Sequence, residues 1–265
     1  MKNKNLEFLY REIRQIGVVL KKNKNNLGWI EVVNKKKNTT KADFKIDKLL
    51  RAVLQKRIDD IPYYSEEVPH SIKDRPDKYW LADPIDGTSS WLNGFDGYVI
   101  QAAYVVKNEP IFSFIYWPEK EEFYHCIKGK GIFLNLKKMS LIYNQEVSIR
   151  VVDNYPEPNK LIKKVINEFE DVEYLEMGSL GLKSLLVATG VCDLFLKTTK
   201  FRDWDVMPAY LFLEEMNYKM LYLDTKRFNF GSQIEFNRGL LVYNPSRIDK
   251  KMINYLKKYG DLFDI

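Results

Sequence analysis

The sequence predicts a mixed α/β protein of layered sheets and helices, on three features of its patterning. Near the start, two stretches carry apolar side chains at helical spacing: Leu6, Leu9, Ile13, Ile16 and Leu20, then Ile46, Leu49, Leu50, Val53 and Leu54. In the middle, residues 99–106, 110–117 and 122–127 read as consecutive strands joined by turns at Lys107-Asn108 and Pro118-Glu119. Beyond them, helical and extended patterns alternate to the end.

In chain order, residues 5–21 form the first helix. A short strand at 28–33 and a Lys-rich turn at 34–38 follow. Asp43 opens the second helix, where an acid in the first turn is favoured by the helix dipole. Glu66 and Glu67 end an extended segment after Pro62-Tyr63-Tyr64. Residues 79–82 are aromatic and apolar, a buried strand end; Pro84 has no amide donor and is expected to stop the ladder. Asp86-Gly87 makes a tight turn, and Thr88-Ser89-Ser90 offer hydroxyl caps to a short helix. Gly129-Lys130-Gly131 turns the chain into a strand at 132–135; without a strand-to-helix context it is no phosphate cradle. A helix near 158–169, a strand at 172–176 and a helix from Gly178-Ser179 to Gly190 come next. Strand 192–197, helix 205–216, strands 219–224 and 238–243, and helix 247–258 complete the chain. With neither internal repeats nor a Gly/Ser linker, residues 1–145 and 146–265 are expected to be two lobes of one compact unit.

Composition narrows the classes. With 265 residues, 45% hydrophobic content, 17 Tyr and 15 Phe, the chain can bury a sizeable core. The net charge of +6 is spread over short lysine runs, which read as a solvated basic face rather than a nucleic-acid surface, though such a face attracts small anions. Cys126 and Cys192 are the two cysteines, in no metal-ligand spacing, and point to a reducing cytoplasm. His70 and His125, the two histidines, leave triad chemistry poorly supplied. No apolar run is long enough to cross a bilayer, and the N-terminus carries no secretory pattern.

The chemistry concentrates at Asp83-Pro84-Ile85-Asp86-Gly87-Thr88, which puts two carboxylates on a rigid turn beside a helix start. Carboxylates three residues apart can share a hard cation, and free amides at a helix start can hold a phosphate. Asp-Gly by itself is an ordinary turn signal. Its company gives it weight: Thr40 to Asp43 and Glu66-Glu67 upstream, Trp204-Asp205 downstream. In this order the four pieces resemble the inositol monophosphatase superfamily of magnesium-dependent, lithium-sensitive phosphomonoesterases, over residues from about 39 to about 225.

The resemblance implies a five-layered α-β-α-β-α sandwich, the sugar-phosphatase fold, and a site with two or three Mg2+ ions. In such a site one ion lowers the pKa of the attacking water and another stabilises the leaving oxygen. It assigns Glu66, Asp83 and the Ile85 carbonyl to the first ion. Asp83 bridges to the second, completed by Asp86 and Asp205, and Glu66 with waters takes a third. Asp43 and the Thr88 hydroxyl place the water, and the Gly87 and Thr88 amides hold the phosphate. Trp204-Asp205 is followed here by Val206-Met207-Pro208, where the family usually has small residues, and Pro208 is expected in a first helical turn.

For the substrate, the resemblance is to bacterial 3'(2'),5'-bisphosphate nucleotidases. Lys197 stands where inositol monophosphatases carry a glutamate, and Gly178-Ser179 followed by Lys183 is similar to a nucleotidase helix. Ser179, Lys183 and Lys197 are therefore expected at the substrate, the lysines suiting a second phosphate; solvated surface lysines are the plain alternative. The leading expectation is hydrolysis of 3'-phosphoadenosine 5'-phosphate to AMP and phosphate. Inositol 1-phosphate or another sugar phosphate is the alternative, and a non-catalytic nucleotide- or partner-binding relative is the reading from another class. A small phosphorylated metabolite is the expected partner, with no nucleic acid, no integral membrane segment, and a monomer or homodimer.

Overall fold

Apolar side chains sort into three buried clusters that stack the chain into alternating helix and sheet. The computed structural model describes residues 3–34, 39–57, 61–140 and 148–260. The first layer is α1 (Asn3–Lys22) and α3 (Lys41–Arg57), linked through the single-turn α2 (Leu27–Ile30) and the pair β1 (Val32–Asn34) and β2 (Thr39–Thr40). Their apolar stripes, Leu9, Ile13 and Ile16 with Ile46, Leu50 and Leu54, bury against Trp80, Ile100, Phe114 and Tyr116.

Those partners lie on a seven-stranded sheet whose spatial order follows the sequence: β3 (Tyr63–Ser65), β4 (Lys78–Asp86), β5 (Val99–Val106), β6 (Glu109–Trp117), β7 (Glu122–Ile127), β8 (Gly131–Leu134) and β9 (Lys137–Lys138). β3 pairs with β4 in parallel and the remaining pairs are antiparallel. The short α4 (Thr88–Leu92) joins β4 to β5. A second sheet contains β10 (Ile149–Asp153), β11 (Val172–Glu176), β12 (Leu194–Lys197), β14 (Lys219–Leu221) and β16 (Leu240–Tyr243), in the order β11-β10-β12-β16-β14. β13 (Phe201–Arg202) and β15 (Glu235–Phe236) form a small pair of their own.

Between the sheets lie α6 (Leu180–Ala188) and α7 (Asp203–Glu215). Every residue of α6 is buried, as a helix sandwiched between two sheets requires. Outside the second sheet lie α5 (Lys160–Glu168) and α8 (Lys250–Gly260). Strand alternation shows the sorting: Val152, Phe195, Leu240 and Val242 face α6 and α7, while Val151, Leu194, Leu196 and Leu241 face α5 and α8. The result is the α-β-α-β-α sandwich that the family resemblance implied.

Four local expectations are corrected. Residues 28–30 are helical, because the Asn26 side chain accepts from the Gly28 amide and starts a turn of α2; the strand begins at Val32. Pro84 does not stop β4, which runs on to Asp86. The cap of α4 is Gly87 at φ +93°, not a hydroxyl. α7 begins at Asp203, so Pro208 falls inside the helix rather than in its first turn. β10 goes beyond the sequence reading: Ile149–Asp153 is a five-residue run with too little alternation to stand out. Residues 35–38 of the Lys-rich turn and the lobe boundary at 145 lie outside the described residues.

Candidate active site

The site is built on the carboxyl end of β4. Asp83 pairs across the ladder with Gln101, but the next pair is Asp86 with Val99, so β4 carries one extra residue there. Pro84 sits in that bulge, where a missing amide does least harm to the ladder. Asp83 Oδ1 accepts from the Ile85 amide at 3.1 Å. The chain then reverses at Gly87, where a Cβ would lie 2.8 Å from the Gly97 carbonyl oxygen. Thr88 follows, its Oγ1 at 2.9 Å from both Asp43 Oδ1 and the Ile85 carbonyl oxygen. Asp43 Oδ2 takes the amide and the hydroxyl of Thr40, each at 2.6 Å. Burial pushes the Asp43 carboxyl up against these hydrogen bonds.

Glu66 follows directly on β3, and Asp205 sits in the first turn of α7. Glu66, Asp83 and Asp205 each place a carboxylate oxygen within 4.8 Å of the others. Burial, then the neighbouring acids, raises both Asp83 and Asp205 well above the ordinary carboxylate range. Arg202 works against the rise at Asp205, its amide donating to Oδ2 at 2.7 Å; its Nη1 is 3.3 Å from Glu66 and its Nε 3.4 Å from Glu235. A set of oxygen donors that repel one another and are drawn from three elements fits a hard divalent cation.

Asp86 has other duties in the structure. Its Oδ2 accepts the Ser179 hydroxyl at 2.5 Å and the Gly181 amide at 2.6 Å, while Oδ1 takes the Leu180 amide at 3.2 Å. It thus satisfies the first amides of α6, which would otherwise be orphaned inside the protein. Burial raises its pKa, opposed by these bonds and by the charge of Lys183.

Lys183 projects from α6 and is only 4% exposed. Its Nζ donates to Asn154 Oδ1 at 2.6 Å and lies 4.9 Å from the centre of the Phe195 ring. Burial lowers its pKa to about 8; Asp153 counters that, and the charge of Lys197 adds to it. Lys197, half-buried at the end of β12, therefore shares the neighbourhood of Lys183.

Two supports lay beyond sequence reasoning. Pro208 cannot donate to the Trp204 carbonyl one turn back in α7. The buried Gln101 does so instead, at 3.1 Å, and its Nε2 also lies 3.2 Å from the Asp205 carbonyl and 3.3 Å from Asp86 Oδ2. The second support is Arg75, whose guanidinium grips both oxygens of Asp203; the two side chains are 1% and 0% exposed. Arg75 also lies 2.7 Å from His70 Nε2, and the His70 ring rests near Trp204. The loop after Glu66 is thereby tied to the helix turn bearing Asp205. Breaking one side of a buried pair costs about 3–5 kcal/mol, so Asp203→Asn is expected to lower the melting temperature by on the order of 10 °C. Scanning calorimetry checks this, and an unchanged melting temperature would mean the pair carries no net stabilisation. His125, by contrast, belongs to the core, stacked on Phe133.

Comparison with known proteins shows the family. A model described as the inositol monophosphatase family matches residues 2–261. The 3'(2'),5'-bisphosphate nucleotidase CysQ of Haemophilus influenzae is 29% identical over 196 residues, 70% of this chain and 73% of that protein. The fructose-1,6-bisphosphatase/inositol-1-monophosphatase of Thermotoga maritima is 24% identical over 246 residues, 89% of this chain and 92% of that one. The structure of staphylococcal inositol monophosphatase-II with 2'AMP bound superposes with a TM-score of 0.74 at 19% identity, covering 98% and 96% of the two chains. No described helix is long and apolar enough to cross a membrane. With the match running over nearly its whole length, the chain belongs to the inositol monophosphatase family and is a phosphoric monoester hydrolase.

Proposed function

We propose that this enzyme removes the 3'-phosphate of 3'-phosphoadenosine 5'-phosphate, giving AMP and phosphate, with Mg2+ as its cofactor. The observation that carries the choice of substrate is Lys183. It is a nearly buried cation on α6, the helix whose first amides bind Asp86, and it stands beside Lys197. A single phosphate held near Glu66, Asp83 and Asp205 makes no use of these lysines; a second phosphate does. The bound 2'AMP of the staphylococcal neighbour is consistent with a nucleotide in this fold.

In this reading Glu66, Asp83 and Asp205 hold the metal, with the Ile85 carbonyl and Asp86 as further candidate ligands. Bound there, the cation neutralises the phosphate and acidifies a water. Thr88 donates its hydroxyl proton to Asp43, which leaves its oxygen lone pairs free to accept from the attacking water. Attack forms a new phosphorus–oxygen bond while the bond to the 3'-oxygen breaks. The 3'-oxygen leaves as an alkoxide and takes a proton from solvent to become the 3'-hydroxyl, while the proton given up by the attacking water passes to solvent. The Gly87 and Thr88 amides face the phosphate, Ser179 steadies Asp86, and Lys183 and Lys197 receive the 5'-phosphate.

Phosphate release from 3'-phosphoadenosine 5'-phosphate, inositol 1-phosphate and fructose 1,6-bisphosphate, in Mg2+ and again in EDTA, tests the proposal. The bisphosphate nucleotide is expected to give the highest kcat/KM, and EDTA to silence all three. Preference for inositol 1-phosphate would favour the sugar-phosphatase reading, which the long match to the Thermotoga maritima protein supports. Acidity adds a second check. Lys183 is charged below about pH 8 and loses its proton above it. KM for the nucleotide is therefore expected to climb above about pH 8, and Lys183→Met should flatten that limb.

A further inference from the structure

A cavity of about 290 Å³ opens beside the candidate site, lined by Phe95, Asp96, Trp117, Tyr155, Glu176 and Met177 together with glycines 94, 97 and 178. We infer that it receives the base of a nucleotide substrate, a flat ring carrying an exocyclic amino group; this rests on the nucleotidase reading above.

Position is the first argument. One wall shares its backbone with the site: the Ser179 amide donates to the Gly97 carbonyl at 2.7 Å, and the Ser179 hydroxyl is on Asp86. Tyr155, also in the lining, is next in the chain to Asn154, which accepts from Lys183. The opening is thus one residue along the chain from a partner of Asp86 on one side and from the partner of Lys183 on the other, within reach of a ligand held at both. Two of the lining glycines hold the wall together by close backbone packing: a Cβ on Gly97 would meet the Gly178 amide nitrogen at 2.4 Å, and one on Gly178 would meet the Gly97 oxygen at 2.1 Å.

Chemistry is the second argument. Phe95 comes from the loop after α4 and Tyr155 from the loop after β10, yet their ring centres are 4.0 Å apart at 53°. Both rings remain open to solvent, 36% and 45% exposed, so they offer a base a face to stack on. Trp117 is committed as a wall, its Nε1 donating to the Asp96 carbonyl at 2.6 Å. The charged groups lining the cavity, Asp96 and Glu176, are both acids, Asp96 with Lys24 Nζ at 3.8 Å from its Oδ1. They repel a phosphate and can accept from a ring amine, which divides the ligand cleanly: anionic ends to the lysines and metal, amino-bearing ring to the aromatics.

The test compares kcat/KM for 3'-phosphoadenosine 5'-phosphate with that for methyl riboside 3,5-bisphosphate, which lacks the base, in the Mg2+ enzyme. Phe95→Ala and Tyr155→Ala are each expected to lower the nucleotide-to-riboside ratio roughly tenfold. Tyr155→Trp, which keeps a stacking face, should retain it and shows that the loss is not one of folding. A wild-type enzyme that favours the nucleotide, with a ratio the alanine variants do not move, overturns the cavity assignment and leaves the nucleotidase reading standing. A wild-type enzyme that ignores the nucleotide defeats both. Light scattering that shows a wild-type dimer split by Tyr155→Ala would assign the rings to an interface between copies instead, and would also overturn the proposal.

Discussion

Asp83→Asn and Asp205→Asn are each expected to cut turnover by on the order of a thousandfold or more while the fold stays intact. Both residues belong to the three-acid group, and the change to an amide removes a negative charge and leaves a single, weaker neutral oxygen for a divalent cation. The stability effect should run the other way. Burial and neighbouring acids raise Asp83 well above its ordinary range, so its ionised form costs the folded state energy. A carboxyl raised in the folded protein contributes stability below its unfolded pKa and loses it as pH rises through the folded value. At neutral pH without metal, Asp83→Asn should therefore melt at or above the wild-type temperature. Mg2+ should raise the melting temperature of wild type and much less that of the variant. Phosphate release and melting curves with and without Mg2+ check both halves. Near-wild-type activity of either variant at saturating Mg2+ would move the metal site elsewhere.

The second large effect concerns the lysines. Lys197→Glu is expected to raise KM for 3'-phosphoadenosine 5'-phosphate between roughly tenfold and several hundredfold. A charge-assisted contact contributes about 1.5–3 kcal/mol, and charge reversal adds repulsion. Lys183→Met should act in the same direction, since it removes a cation whose burial already lowers its pKa to about 8. What separates a second-phosphate site from general damage is the ratio of kcat/KM for the bisphosphate nucleotide to that for a singly phosphorylated sugar. That ratio should fall in both variants. An equal loss on both substrates would make the lysines structural, and the preference for a nucleotide would fall with them.

Much of the molecule is legible locally. The stripes of α1 and α3, the antiparallel run from Val99 to Ile127 and the turn from Asp83 to Thr88 are each dictated by residues a few positions apart. Misreadings arose where a local rule met a tertiary exception. Pro84 was expected to end a strand, but the bulge opposite Gln101 accommodates it. Pro208 sits inside α7 because Gln101, 103 residues away from Trp204, supplies the hydrogen bond it cannot.

By itself, then, the sequence determined the layered α/β class, the family and the acids that gather at the end of β4, since short-range periodicity, turn chemistry and motif order carry that information. Tertiary structure alone decided what each acid touches. Ser179 reaches Asp86 across 93 residues, Arg75 holds Asp203 across 128, and Phe95 meets Tyr155 from a different sheet's loop. Such pairs leave no mark in local spacing, because their energy comes from burial and close approach, which exist only once the two sheets have closed on α6 and α7.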